Sequence, residues 1–538
     1  MRSTVKRRIA VTAVATLATG VLAACGGGSS DSDSGARDKT LVMAWSAVPP
    51  QLDPMVYTGN TVVYSTDAFL SGLLEYDYSK AGDDTVIATD ELVPALAESF
   101  EPNADRTQFT FKLRKGVKSQ YGNEMTADDV VWTYQRFVSN PASIQAASLM
   151  KPANVDLKNP MEKIDDYTVR YNLTAPSSIS LSVVAYPLMG ILDSTEAKKH
   201  ATDADPYAGE WLAQNSAGFG PYQLDSIAPG EEIRMSQNPN YWDEKPYFED
   251  VVIRSVPDGA NRAQLLMAGE VDIISEPPID QLKKIEDNSA TKVNVQPDAN
   301  RHNLNLSMKD PDLKKPEVRK AINMAIDREG IVESVYQGYA KPAWTPVPSS
   351  MMADQEPMIE YDPKQAAQLL ADAGYADGLS IEISISSERP GPYAENIARL
   401  IQSDLKEIGV EVTIKNVPSP ADFEEAVSSQ SMQAYLYSDR PSQPDPGFSM
   451  YLYNGTGSAL NKVGFANPQF DELVGRTLRL DLGEERDTVV DEAMDVLREN
   501  QPIFSLVEMP DITGEAADLE GRISVPSGGV PYVNLKRG

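Results

Sequence analysis

The segment Phe109-Thr110-Phe111-Lys112-Leu113-Arg114-Lys115-Gly116-Val117, followed by Thr126-Ala127-Asp128-Asp129-Val130-Val131, contains two backbone periods in close succession. Phe109, Phe111 and Leu113 alternate with Thr110, Lys112 and Arg114, which predicts a strand with one buried face. Thr126 with Asp129 three residues on is a helix start, and Val130, Tyr134 and Phe137 then share one face of the helix. The same succession recurs further along. Val318, Ile322, Ala325 and Ile326 form an apolar stripe behind Pro316, a residue suited to a first turn. Asp362-Pro363 opens another helix, which should stop at Gly374. Ile397, Ile401, Leu405 and Ile408 mark a helix from about Tyr393 that Gly409 closes before the strand Val410 to Ile414. Repeated alternation of helix and strand predicts an α/β chain.

The N-terminus reads as an address. Arg2, Lys6, Arg7 and Arg8 precede an apolar run from Ile9 to Leu22, the layout of an export signal. That run is broken by Thr12, Thr16 and Thr19 and falls short of the roughly 20 apolar residues a transmembrane helix needs. Leu22-Ala23-Ala24-Cys25 resembles the lipobox of bacterial lipoproteins, so Cys25, the only cysteine, is expected to carry lipid after residues 1–24 are removed. Residues 25–38, rich in Gly, Ser and Asp, are a tether that cannot bury apolar area. Two acyl chains hold a protein durably, which puts the folded part on the extracellular face of the cell membrane.

The chain holds 48 Lys and Arg against 79 Asp and Glu, a net charge of −31. Losing the four cations of residues 1–24 leaves 44 against 79, or −35. Nucleic acid is excluded as a partner, because binding phosphate needs a clustered cationic surface. A length of 538 residues exceeds a single core and predicts two or three domains.

Several blocks, in order, resemble the family 5 extracellular solute-binding proteins, the oligopeptide- and dipeptide-binding subunits of ABC importers. They begin with Leu96-Ala97-Glu98-Ser99-Phe100-Glu101-Pro102 and the opening segment above. They continue through Gly218-Phe219-Gly220-Pro221-Tyr222, Asn238-Pro239-Asn240-Tyr241-Trp242, Leu265-Leu266-Met267-Ala268-Gly269-Glu270-Val271-Asp272, Val318 to Arg328, and Tyr361-Asp362-Pro363 with Leu369 to Tyr375. The resemblance implies a bilobal, periplasmic-binding-protein-like (type II) clamshell with an extra subdomain in the first lobe. Its expected extents are 39–61, 62–200 (the extra subdomain) and 201–299 for the first lobe, 300–500 for the second, and 501–538 for the return to the first. A monomeric receptor is expected, which closes on a small-molecule ligand, foremost a peptide, and hands it to a membrane permease.

The resemblance also suggests where the ligand sits. Tyr435-Leu436-Tyr437-Ser438-Asp439-Arg440-Pro441-Ser442-Gln443-Pro444-Asp445-Pro446 is similar to the loop with which peptide-binding members hold a free amino group. Asp439 is the candidate, with Asp445 either an alternative or the residue that turns the chain. Ser387-Glu388-Arg389-Pro390 is similar to the place where dipeptide binders present an arginine to a carboxylate, and a guanidinium can grip one with two hydrogen bonds. Tyr435, Tyr437, Trp45 and Trp344 are candidate cleft walls, each equally able to be core.

Catalysis finds no motif. The only histidines, His200 and His302, lie in neither a G-x-S-x-G nor an H-E-x-x-H setting, and His302 reads as a hinge or cleft-wall residue just before a strand at Asn303. No cofactor and no metal are expected, since a chain so poor in histidine has no imidazole cluster. Oligosaccharides, metal chelates and other small solutes remain alternative ligands on this scaffold, and signalling an alternative to import.

Overall fold

The computed structural model describes residues 38–55, 60–77, 92–140, 143–352, 356–387, 389–523, 525 and 529–538. The leader, Cys25 and the tether up to residue 37 lie outside the described residues. The elements used below are, in chain order, β1 (Thr40–Trp45), β2 (Ala97–Pro102), β3 (Gln108–Leu113), α1 (Ala127–Ser139), β4 (Met161–Asp165), β5 (Thr168–Asn172), β6 (Tyr222–Ala228), β7 (Glu232–Gln237), β8 (Asp250–Ser255) and β9 (Ile273–Ser275). They continue with β10 (Thr291–Leu306), α2 (Pro316–Met324), α3 (Pro363–Leu370), β11 (Leu379–Ile385), α4 (Ala394–Glu407), β12 (Val410–Asn416), β13 (Ala434–Asp439), α5 (Pro446–Asn454), α6 (Pro468–Thr477), α7 (Glu484–Asn500) and β14 (Ile503–Ala516).

The opening segment forms what its periods demand. Phe109, Phe111 and Leu113 are buried on β3, and Val130, Tyr134 and Phe137 on α1. Asp129 anchors the start of the helix, one carboxylate oxygen accepting the Thr126 N–H at 2.8 Å and the other the Ser194 N–H at 2.9 Å. Strands β2, β3, β5 and β4 make a small antiparallel sheet. A buried ion pair fastens α1 to the chain near β1: Arg136 donates from Nη1 and Nη2 to the two carboxylate oxygens of Asp53, at 2.8 and 2.6 Å. Helices α2, α3 and α4 also form, though α2 ends at Met324, before Ala325 and Ile326 of its stripe, and α3 gives way after Leu370 to a wider helical turn over Ala371–Tyr375; Gly409, at φ +81°, turns the chain from α4 into β12.

An 11-stranded sheet runs through both lobes, in the order β12-β11-β13-β10-β14-β9-β1-β8-β7-β6, with the short pair Lys341–Pro342 beside β14. Its flanks have parallel centres, β1 between β8 and β9, and β11 between β12 and β13. Between them run β10 and β14, long and antiparallel to their neighbours. Toward one end β14 pairs with β9, and toward the other β10 pairs with β13. Between those ends the register of β10 on β14 shifts from Gln296↔Asp511 to Asn300↔Met509. Pro297 falls in this break and Pro510 opposite it, and neither has an N–H to give the ladder.

Separate cores lie on the two sides of this break. Trp45, Phe69, Tyr222 and Ile253 pack together in one, and Ile322, Ile383, Ile401 and Phe504 in the other. A further core joins distant parts of the chain. Phe448, Leu452 and Tyr453 of α5 pack in one cluster with Tyr134, Val183 and Val184, and the Ser178 N–H donates to the Leu478 carbonyl at 2.8 Å.

Candidate ligand site

Along β13, Ala434 and Leu436 turn into the second lobe's core, so Tyr435, Tyr437 and Asp439 share the opposite face. Pairing with β10 sets Arg301 opposite Asp439, Asn303 opposite Tyr437 and Asn305 opposite Tyr435. Two strands with polar or aromatic residues at every second position thus build one patch.

Asp439 is 7% exposed, and its Oδ2 accepts the Asn303 Nδ2–H at 2.5 Å. Burial pushes its carboxyl up to about 6, against the opposing pull of Arg301, Arg389 and the Asn303 hydrogen bond. The three together fall short of the cost of burying the charge. Arg389 lies at the edge of this patch with its side chain half exposed. It donates from Nη1 to the Tyr437 hydroxyl at 2.5 Å and stands 3.7 Å from Glu424. The Tyr437 hydroxyl in turn donates to the Glu424 carboxylate, at 3.0 Å from the nearer oxygen. Tyr453, from α5, lies over the Arg301 guanidinium, 5.5 Å from ring centre to carbon.

Other sequence candidates lie elsewhere or have structural partners. Tyr435 is buried, edge-on to Phe423 at 6.3 Å, and Phe423 also stacks on Tyr437 at 6.4 Å. Trp45 is buried beside Tyr64 at 5.3 Å, and Trp344 lies half-buried over Arg328 at 5.1 Å. Among the described residues no hydrogen bond or ring contact joins either tryptophan to Asp439 or Arg389. Asp445 has both oxygens engaged. Oδ1 caps α5 by accepting the Phe448 N–H at 2.8 Å, and Oδ2 pairs with Arg486.

His302 lies within β10, which begins at Thr291 rather than at the expected Asn303. Its Nδ1 is 2.6 Å from the Tyr336 hydroxyl, and burial pulls it down to about 4, so it is neutral at physiological pH. His200 stacks on Trp211 at 4.1 Å. Among the described residues no three His, Cys, Asp or Glu side chains are grouped to hold a metal, and no helix is long and apolar enough to cross a membrane.

Sequence reasoning missed Arg301, Asn303 and Tyr453. The signal was there in part, since Arg301, Asn303 and Asn305 alternate with His302, Leu304 and Leu306.

The model of the bacterial extracellular solute-binding proteins, family 5, matches residues 91–461. The chain belongs to this family. It is a family of substrate-binding transport proteins rather than of enzymes. This family 5 chain is 28% identical to heme-binding protein A of Haemophilus influenzae, over 95% of its own length and 96% of that protein's. It is 29% identical to the dipeptide-binding protein of Escherichia coli, over 70% and 71% respectively. Among solved structures, the dipeptide binding protein of Pseudoalteromonas sp. SM9913 in complex with Met-Leu superposes with a TM-score of 0.80 at 25% identity, covering 93% of this chain and all of that one.

Proposed function

We propose that this family 5 protein captures a peptide by its free ammonium group and delivers it to the permease of an ABC importer. Asp439 carries this reading: a buried carboxylate on the face of β13 whose burial outweighs its partners in the chain, in a family whose relatives include dipeptide-binding proteins. Arg389, with Tyr437 and Glu424 to orient it, receives the carboxylate end. The lobes, with extents near 39–61, 62–200, 201–299 and 501–538 for the first and 300–500 for the second, close by bending where β10 and β14 lose register. Asp298, in that break, accepts the Arg440 Nε–H at 2.8 Å, so the joint is tied to the residue next to Asp439. A ligand shifts the lobes only by its preference for the closed form, and moving 1:99 to 99:1 takes about 5.5 kcal/mol. Charge-assisted hydrogen bonds at the ammonium and carboxylate, each worth about 1.5–3 kcal/mol, supply much of that.

The protein acts as a monomer on the extracellular face of the membrane, held by lipid on Cys25 after residues 1–24 are cleaved. Calorimetry with a peptide library, each member also supplied N-acetylated, tests the ammonium site. Acetylation should cost 10- to 100-fold in affinity, and Asp439→Asn should remove that difference. Acetylated and free peptides binding alike would refute the assignment. Binding of sugars or metal chelates in place of peptides would redirect the cargo while keeping the transport role.

A further inference from the structure

Among the described residues the buried guanidinium groups are provided for, with one exception. Arg136 meets Asp53, Arg319 donates to the carbonyls of Leu313, Asn500 and Gln501, Arg328 to those of Ala343 and Ser505, and Arg486 to the Thr477 carbonyl and Asp445. Arg301 is 2% exposed, yet its Nε and Nη1 have no hydrogen-bond partner. No ion pair within 4 Å joins it to a carboxylate among the described residues; its charge reaches Asp439 across the strand pair and pulls that carboxyl down without a direct hydrogen bond. Burying a cation without acceptors is costly, and structures retain such groups where a partner arrives later. The two residues beyond it on the same strand face repeat the pattern, since the buried Oδ1 atoms of Asn303 and Asn305 also lack partners.

Arg301 stands directly across the strand pair from Asp439, and cross-strand neighbours lie about 4.5–5.5 Å apart at Cα. A ligand that gives its ammonium to Asp439 and an anionic group to Arg301 must carry both within a few ångströms, on one residue. Arg389 is then left for the far carboxylate. Tyr453 closes over Arg301 and keeps water from it, which strengthens any ion pair formed there.

We infer that Arg301 is a second charge-selecting anchor of the ligand site and that the preferred cargo is a peptide whose first residue is Asp or Glu, its side-chain carboxylate paired with Arg301. This rests on the peptide reading of Asp439. A free amino acid offers the same pair of charges from a different source.

Calorimetry with Glu-Ala-Ala, Gln-Ala-Ala and free glutamate separates these possibilities. The wild-type protein should favour Glu-Ala-Ala over Gln-Ala-Ala by 10- to 100-fold, the span of one charge-assisted interaction. Arg301→Met, checked by thermal melting, should reduce that preference below threefold. The wild-type comparison decides the acidic-residue preference even if this variant does not fold, and the role of Arg301 is then read from Arg301→Lys, which should cut the preference while keeping the charge. Equal affinity for the two peptides overturns the acidic-residue assignment and leaves the ammonium site standing. A preference that survives Arg301→Met overturns the role of Arg301. Free glutamate binding as tightly as Glu-Ala-Ala overturns the peptide as the source of the carboxylate. If no peptide binds, the peptide reading falls and this inference with it.

Discussion

Asp439, which ends β13, and Asp445, which caps α5, lie six residues apart, both buried, and their partners differ. Asp445 has the Phe448 N–H on one oxygen and Arg486 on the other. Asp439 has one amide from Asn303 and a carboxyl raised to about 6. A buried acid whose partners all belong to the chain supports the fold, whereas Asp439, whose burial outweighs the help of Asn303, Arg301 and Arg389, is the one proposed to meet the ligand. Burial alone could not have told them apart.

The largest effect should come from Asp445→Ala. It removes the α5 cap and strands the buried Arg486 charge, a loss of about 3–5 kcal/mol in unfolding free energy by denaturant titration. Adding Arg486→Met should restore part of it. Asp439→Asn should do the reverse, leaving unfolding free energy at pH 7 unchanged or raised by up to about 3 kcal/mol because a buried charge is removed, while weakening peptide binding by 10- to 100-fold in calorimetry. If both variants destabilise alike, the contrast is lost.

Acidity sharpens the contrast. With its folded-state value near 6 and an unfolded value near ~3.9, Asp439 binds more protons folded than unfolded between those limits. Its contribution to the unliganded protein therefore becomes more favourable as pH falls from about 7 to about 5. Peptide affinity moves the other way, by up to about tenfold per pH unit below 6. Asp67, raised to about 7, and Asp404, raised to about 6, also titrate there. The readout is accordingly the difference between wild type and Asp439→Asn, by melting and calorimetry at pH 7 and 5. The smallest effect is expected from Tyr437→Phe, which removes the hydroxyl between Arg389 and Glu424. A loss of about threefold in peptide affinity would suit an orienting role.

Legibility followed range. The strand at Phe109–Leu113 and the helix after Thr126 were readable because their signals lie within a turn or two of each other. The resemblance to family blocks supplied the loop holding Asp439, and a fold that no local period reveals. Arg301 escaped because its meaning comes from register: only the pairing of β10 with β13, far apart in sequence, sets it opposite Asp439. Tyr435 and Tyr437 looked alike in sequence, but the hydroxyl of Tyr437 meets Arg389 and Glu424 while Tyr435 is wedged against Phe423. Trp45 was ambiguous for a similar reason, since whether a ring at a strand end is wall or filling depends on what covers it.

Two imino acids, Pro297 and Pro510, interrupt the pair of strands that joins the halves. In the proposed closure, a ribbon with its rungs missing at one level behaves like perforated paper: it bends along that line and loads the Asp298–Arg440 pair beside it. On that proposal the balance between open and closed shapes is set by the surfaces on either side, and can be retuned without touching Asp439 or Arg389.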